Sequence, residues 1–156
     1  MAFWRLYYHL IWATKERHPL IIAMIEPELY GYIKGKAHHL GCMVQAINGI
    51  EDHIHLVVSI PPKLSIADFV GKIKGSSSHH LNHLPGNQQP QFAWQHGYGV
   101  LSLGSKQLEE AIAYVQQQKE HHARQTTIAA LERDEAEDEG PAGAPDMPSD
   151  KLAADS

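Results

Sequence analysis

The segment Asn48-Gly49-Ile50-Glu51-Asp52-His53-Ile54-His55-Leu56-Val57-Val58-Ser59-Ile60 carries the two most informative local signals in the chain. Asn48-Gly49 predicts a tight hairpin turn, because both residues tolerate the left-handed backbone that such turns need. The run that follows, from Ile50 or Asp52 to Ile60, predicts a strand. Successive strand side chains alternate between faces, so Ile54, Leu56, Val58 and Ile60 point into a core. His53, His55, Val57 and Ser59 then share the opposite face. The stretch from Cys42 to Ile47 is the predicted antiparallel partner, and Pro61-Pro62 stops the second strand.

Working outward, Pro27 suits a helix start, and Leu29, Tyr32, Ile33, Lys36/Ala37 and Leu40 keep helical spacing up to Gly41. Ahead of it, residues 3–13 are aromatic and β-branched enough for a first strand. Downstream, Ser65 and Asp68 have the form of a capping box, and Ile66, Phe69, Val70 and Ile73 give an apolar stripe for a helix to about Asn82. Residues 84–96 are rich in Pro, Gly, Gln and Asn and predict a long loop. A strand is expected over 97–103. Ser105 then caps a last helix with Leu108, Ala111, Ile112 and Val115 on its buried side. The order β-α-β-β-α-β plus a C-terminal helix predicts an α+β fold: a ferredoxin-like split βαβ unit with an antiparallel sheet. Helices are expected on one face of that sheet, the other being left open for a site.

Composition narrows the function classes. The 156 residues suit one domain and include a single cysteine, Cys42, which excludes an internal disulfide and a multi-cysteine zinc ribbon. No apolar run is long enough to cross a bilayer, and the start has no signal-peptide pattern, so a cytoplasmic location without membrane contact is expected. The net charge of −5 is uneven. From Asp134 to Ser156 eight acids stand against one base, a net −7, whereas residues 1–133 hold ten acids and twelve bases, +2, and all twelve histidines. A mildly basic, His-rich domain over 1–133 is thus expected to carry an acidic tail over 134–156. That tail has too few apolar residues to offset its ordering entropy. The domain's charge permits a nucleic-acid partner.

Two features carry chemistry. His53 and His55, two apart on one strand face, can hold a divalent ion if a third ligand comes from elsewhere; a tolerated pair of half-exposed histidines fits the same motif. Tyr114 and Gln118, four apart on the last helix, share a face beside its apolar stripe. Gln118 offers a carbonyl oxygen to a hard cation and Tyr114 a phenol nearby; a packing tyrosine is the plainer reading. Adjacent pairs at His38-His39, His79-His80 (with His83) and His121-His122 lie near helix ends, where solvation accounts for them, although His121 and His122 fall close to Tyr114. Lys15, Arg17, Lys72 and Lys74 with the Ser76 hydroxyl suit phosphate oxygens, and Trp94 in the long loop suits stacking on a base.

Taken together, five stretches resemble the IS200/IS605-type single-tyrosine transposases of the HUH endonuclease class, REP-associated tyrosine transposases included. They are Tyr8-His9-Leu10-Ile11-Trp12-Ala13-Thr14-Lys15, Glu51-Asp52-His53-Ile54-His55-Leu56-Val57-Val58, Lys72-Ile73-Lys74-Gly75-Ser76-Ser77-Ser78, Trp94-Gln95-His96-Gly97-Tyr98-Gly99 and Tyr114-Val115-Gln116-Gln117-Gln118. The resemblance covers roughly residues 3–131 and implies the same ferredoxin-like fold. It implies that His53, His55 and Gln118 bind Mg²⁺ or Mn²⁺ and that Tyr114 is the nucleophile, forming a 5′-phosphotyrosine. It also implies single-stranded DNA with a hairpin at transposon or REP ends as substrate, and a homodimer whose composite sites take the tyrosine helix from the other subunit. The expected setting is bacterial and nucleoid-associated. Other readings are a domesticated single-stranded nucleic-acid-binding protein of the same fold, a replication initiator or relaxase of the HUH class, an RNA-binding sheet, and a His-rich metal hydrolase. An RNA-binding sheet needs stacking aromatics on its central strands, where β-face residues here are His53, His55, Val57 and Ser59.

Overall fold

A computed structural model describes residues 2–86 and 91–134. The middle of the predicted loop and the acidic tail from residue 135 onward lie outside the described residues. The strands are β1 (Tyr7–Ala13), β2 (Met43–Ile50), β3 (His53–Ser59) and β4 (Gly99–Leu103), and the α-helices α1 (Glu26–His39), α2 (Ile66–Asn82), α3 (Leu108–Gln116) and α4 (Gln118–Arg124). The sheet runs β2-β3-β1-β4, with every pairing antiparallel. This is the split βαβ arrangement expected from the element order.

Each element follows from its residues. Leu29, Ile33 and Ala37 recur every fourth position and are fully buried along α1. Ser65 caps α2 as predicted, its hydroxyl accepting the Asp68 N–H at 3.0 Å. Below it, Phe69, Ile73 and Leu81 join Leu10, Trp12, Ile54, Leu56 and Val58 in one core between α1, α2 and the sheet.

The second face is not open. The stripe of α3 needs a partner, and Ala111 and Val115 find it in Ala46 and Val57, with Leu103, Leu108 and Ile112 around them. As a result β3 is buried along its whole length, His53 and His55 included.

Three boundaries differ from expectation for physical reasons. The hairpin turn is Glu51-Asp52, because Ile50 pairs with His53, Gly49 with Ile54 and Asn48 with His55. Asn48-Gly49 serves packing instead. A Cβ on Gly49 would stand 2.1 Å from the His53 carbonyl oxygen. The Asn48 amide donates to the Gln116 carbonyl at 3.0 Å and tethers the end of α3 to β2. Ser105 does not cap α3, which starts at Leu108; the Gln107 side chain accepts the Gly104 N–H at 2.6 Å in the preceding turn. The last helix is also broken, with Gln117 separating α3 from α4.

Candidate metal and tyrosine site

The alternation of β3 sends His53 and His55 to the face covered by α3 and α4. Both rings are almost fully buried. His53 Nδ1 meets Asp52 Oδ1 at 2.7 Å, and His55 Nδ1 meets Nε2 of His9, from neighbouring β1, at 2.8 Å. These contacts fix both rings with their Nε2 atoms turned the same way, the second-layer support that ion-holding histidines usually have. From the other side α4 brings His122. The three Nε2 atoms converge on one oxygen, Glu132 Oε1, at 3.1 Å from His53, 3.0 Å from His55 and 2.9 Å from His122.

The other oxygen of the same carboxylate faces the helix pair. Glu132 Oε2 accepts the Tyr114 hydroxyl proton at 2.5 Å and the Gln118 amide N–H at 3.2 Å. The helix break leaves Tyr114 and Gln118 side by side, so their expected common face survives it. Tyr114 Oη also accepts the Ile128 N–H at 3.0 Å, and its ring stacks on His121 at 4.6 Å. Gln118 Oε1 is buried without a partner among the described residues, as is His9 Nδ1.

Charges follow from this geometry. Burial favours a neutral Glu132, but hydrogen bonds from His53 and His55 outweigh it and hold the carboxyl far below its ordinary range. Burial opposes the charged form of His53, yet Glu132 and Asp52 raise its pKa. In His55 burial prevails over Glu132 and the pKa falls. His9 is lowered to about 4, by burial first and then by His55. Tyr114 is pushed up to about 12 by burial and by its bond to anionic Glu132, so the phenol is held protonated. His53, His55, His122 and Glu132 bring one ligand atom each to within 4.8 Å of one another, a donor set suited to a divalent ion.

A family model described as "Transposase IS200 like" matches residues 2–118, three-quarters of the sequence. The chain belongs to the IS200-like transposase family.

This IS200-like chain is 33% identical to the ISDra2 transposase TnpA of Deinococcus radiodurans over 78 residues, 50% of the chain and 56% of that relative. It is 27% identical to the IS200 transposase of Salmonella typhimurium over 105 residues, 65% of the chain and 69% of the relative. The match thus spans little more than half the length of the ISDra2 protein. Among solved structures, a candidate transposase of Deinococcus radiodurans superposes with a TM-score of 0.60 at 29% identity, covering 75% of this chain and 93% of that one. A REP-associated tyrosine transposase bound to a REP hairpin gives 0.55 at 12% identity, covering 95% and 100%, a likeness of fold.

The family match ends at Gln118, so His122 and Glu132 of the IS200-like chain lie beyond it. Glu132 is the first of a run of acids that continues with Asp134 and Glu135, and nothing local distinguishes it from its neighbours as a site residue. His9 lies in the first predicted strand, and its place opposite Val57 and next to His55 depends on register. Within this chain Tyr114 lies over the chain's own His pair, its ring 5.9 Å from that of His55.

The proposed DNA-contacting residues of this IS200-like chain divide. Lys15 and Lys72 are exposed. Arg17 is half-exposed and pairs with Asp134 at 3.0 Å and Asp52 at 3.8 Å. Ser76 is half-buried and gives its hydroxyl proton to the Lys72 carbonyl at 2.6 Å, ahead of any phosphate. Lys74 is buried, its ammonium donating to the carbonyls of Gln95 at 2.8 Å and Gly97 at 2.6 Å, and burial lowers its pKa to about 8. Trp94 is half-buried, packed edge-on to Trp12 and Phe92, and gives its indole N–H to Ser77 at 3.0 Å. It plugs the core instead of offering a stacking surface. Lys74→Met is accordingly expected to lower the stability of the fold by about 1–3 kcal/mol, because two carbonyls lose their donor. Denaturant unfolding checks this, beside an affinity for single-stranded DNA that stays at the wild-type value.

Proposed function

We propose that this IS200-like chain is a metal-dependent transposase that cleaves and rejoins single-stranded DNA through a 5′-phosphotyrosine on Tyr114. One observation carries the reading: a single carboxylate spans from the Tyr114 hydroxyl to the Nε2 atoms of His53 and His55. A phosphate in the same place would meet nucleophile and ion together. His53, His55 and Gln118 fit a Mg²⁺ or Mn²⁺ ion, because two imidazoles are already fixed by Asp52 and His9 and the buried Gln118 oxygen lacks a partner among the described residues. An ion held there would draw charge from the scissile phosphate as a Lewis acid.

The chain's own part is attack and positioning. The Tyr114 hydroxyl gives up its proton and its oxygen bonds to phosphorus as the bond from phosphorus to the 3′ oxygen breaks; that oxygen takes up one proton and leaves as a 3′-hydroxyl, so one proton is lost and one gained. Attack by another 3′-hydroxyl on the phosphotyrosine reverses the step and joins a new strand. One ester is exchanged for another, so no nucleotide hydrolysis is required. His121 stacked on the phenol sets the ring plane.

The substrate class we propose is hairpin-bearing single-stranded DNA at transposon or REP ends, approached by Lys15, Arg17 and Lys72. The domain spans 1–133 and acts beside the chromosome in the cytoplasm; no helix among the described residues is long and apolar enough to cross a membrane. The assembly proposed is a homodimer with composite sites, each taking its tyrosine helix from the other subunit as the family resemblance implies. The test is a denaturing gel of the protein with labelled hairpin oligonucleotides from the DNA flanking its gene. A covalent protein–DNA band is expected with Mg²⁺ or Mn²⁺ and not with EDTA. A band of equal strength in EDTA would remove the ion from the mechanism.

A further inference from the structure

The strand and the last helix each bring a pair of donors to one place. Along β3 a spacing of two puts His53 and His55 on one face, and along α4 a spacing of four does the same for Gln118 and His122. The Nε2 atoms of His53, His55 and His122 reach a common point, marked by Glu132 Oε1, at 3.1, 3.0 and 2.9 Å. The His53 and His122 rings lie 4.8 Å apart at 62°, and those of His53 and His55 5.1 Å apart at 69°. The three rings are thus turned edge to face around the point, each with a nitrogen aimed inward. Bonds from imidazole to a divalent transition ion measure about 2.0–2.1 Å, so each ring needs to move inward by only about 1 Å.

Two comparisons within the chain set His122 apart. Its neighbour His121 lies flat on the Tyr114 ring, whereas His122, about 100° further round the helix, faces His53. His79 and His83 have the same spacing as Gln118 and His122, but their rings stack on each other at 4.0 Å, and neither belongs to a cluster of three or more ligand residues among the described residues. His122 also lines a cavity of about 570 Å³ with Ile50, Glu51 and Lys119, which gives an ion and its waters a way in.

We infer that His122 is a third imidazole ligand of the ion held by His53, His55 and Gln118, and that it sets the choice of ion, Mn²⁺ ahead of Mg²⁺. The inference rests on the metal-dependent reading above. Mg²⁺ is a hard ion that keeps oxygen ligands and parts reluctantly with its waters. Imidazole suits transition ions better. His122 raises the nitrogen count from two to three against the one amide oxygen of Gln118. That count does not depend on where the Glu132 carboxylate moves when an ion binds. Because α4 follows α3 at Gln117, the helix pair that carries Tyr114 carries His122 as well.

The experiment loads the full-length chain with Mn²⁺ and counts the bonded imidazole nitrogens from the electron spin echo modulation of the ion. Calorimetry measures Mn²⁺ and Mg²⁺ affinities alongside. Wild type is compared with His122→Ala, His122→Gln and, as a control for ions on surface histidines, His83→Ala, with circular dichroism confirming that each is folded. Three nitrogens are expected in wild type and in His83→Ala, and two in both His122 variants. Mn²⁺ affinity is expected to fall by about tenfold or more in both His122 variants, as one metal–nitrogen bond is lost. Mg²⁺ affinity is expected to stay within about threefold of wild type. The same nitrogen count in wild type and both His122 variants would overturn the inference, and so would losses of Mn²⁺ and Mg²⁺ affinity of equal size. Covalent DNA adducts formed by the wild-type chain with Mn²⁺ would in either case leave the phosphotyrosine reading standing. A wild-type chain that binds no Mn²⁺ would overturn both the inference and the metal dependence it rests on.

Discussion

Tyr114→Phe is expected to abolish covalent DNA adducts and strand cleavage while hairpin binding persists. The substitution removes one oxygen and leaves the ring on His121, so packing is preserved. What is lost is the only atom proposed to bond to phosphorus, and cleavage is expected to fall by at least about a thousandfold, since activation of a covalent nucleophile has no substitute among the neighbours. The freed Ile128 N–H and the Glu132 oxygen each lose a partner. A small change in melting temperature is therefore expected alongside the loss of activity. Labelled oligonucleotides on denaturing gels measure the first effect and gel shifts the retained binding. Adducts that persist in the variant would move the nucleophile elsewhere, and His121 and His122 would be the next groups to examine.

His53→Ala is the second large effect. Its imidazole is fixed by Asp52 on one side and aimed at the common point on the other, so its removal deletes an ion-binding nitrogen and leaves a gap that a rotamer change cannot fill. Mn²⁺ affinity measured by calorimetry is expected to drop by about a hundredfold or more, above the usual penalty for losing only a supporting group. Metal-dependent cleavage should go with it. Far-UV circular dichroism should stay that of the wild type, because His53 contributes no part of the main core between α1, α2 and the sheet. An unchanged Mn²⁺ affinity would reduce the His pair to a polar patch.

The parts of the fold that depend on periodicity were legible in the sequence. Alternation along 53–60 separated Ile54, Leu56 and Val58 from His53, His55 and Val57, as the structure has them. The Ser65 cap and the every-fourth-residue stripe of α1 are local in the same way. The failures share a cause, in that each depended on what lay across from the residue. Asn48-Gly49 has the chemistry of a turn, yet the close approach of the His53 carbonyl and the end of α3 claimed both residues for a strand. Lys74 and Trp94 lie in stretches that suit DNA contact, but the ammonium and the indole found internal acceptors first. At the site, Tyr114, Gln118 and the His pair come together as their spacing suggested. Glu132 and His9 did not announce themselves, because one acid among several at the start of an acidic run and a lone histidine in a strand gain meaning only from register and chain reversal.

The two faces of the sheet are held by different forces. On one, α1 and α2 bury large side chains such as Trp12, Phe69 and Leu81. On the other, α3 and α4 rest on a small apolar patch around Ala46, Val57, Ala111 and Val115. Polar ties add to it: Tyr114, Gln118 and His122 bond to Glu132, which bonds to His53 and His55, Asn48 bonds to the Gln116 carbonyl, and Lys119 bonds to Asn48 at 2.6 Å, to the Gly49 carbonyl at 3.1 Å and to Glu26 at 3.0 Å. The Lys119–Glu26 ion pair weakens as salt screens it, whereas buried apolar area does not. The molecule therefore has a durable half and a detachable half, and the tyrosine travels with the detachable one. Partial opening should begin at that helical pair, at a free energy below that of global unfolding, and ionic strength becomes a means of tuning how often the reactive layer lifts away from the histidines.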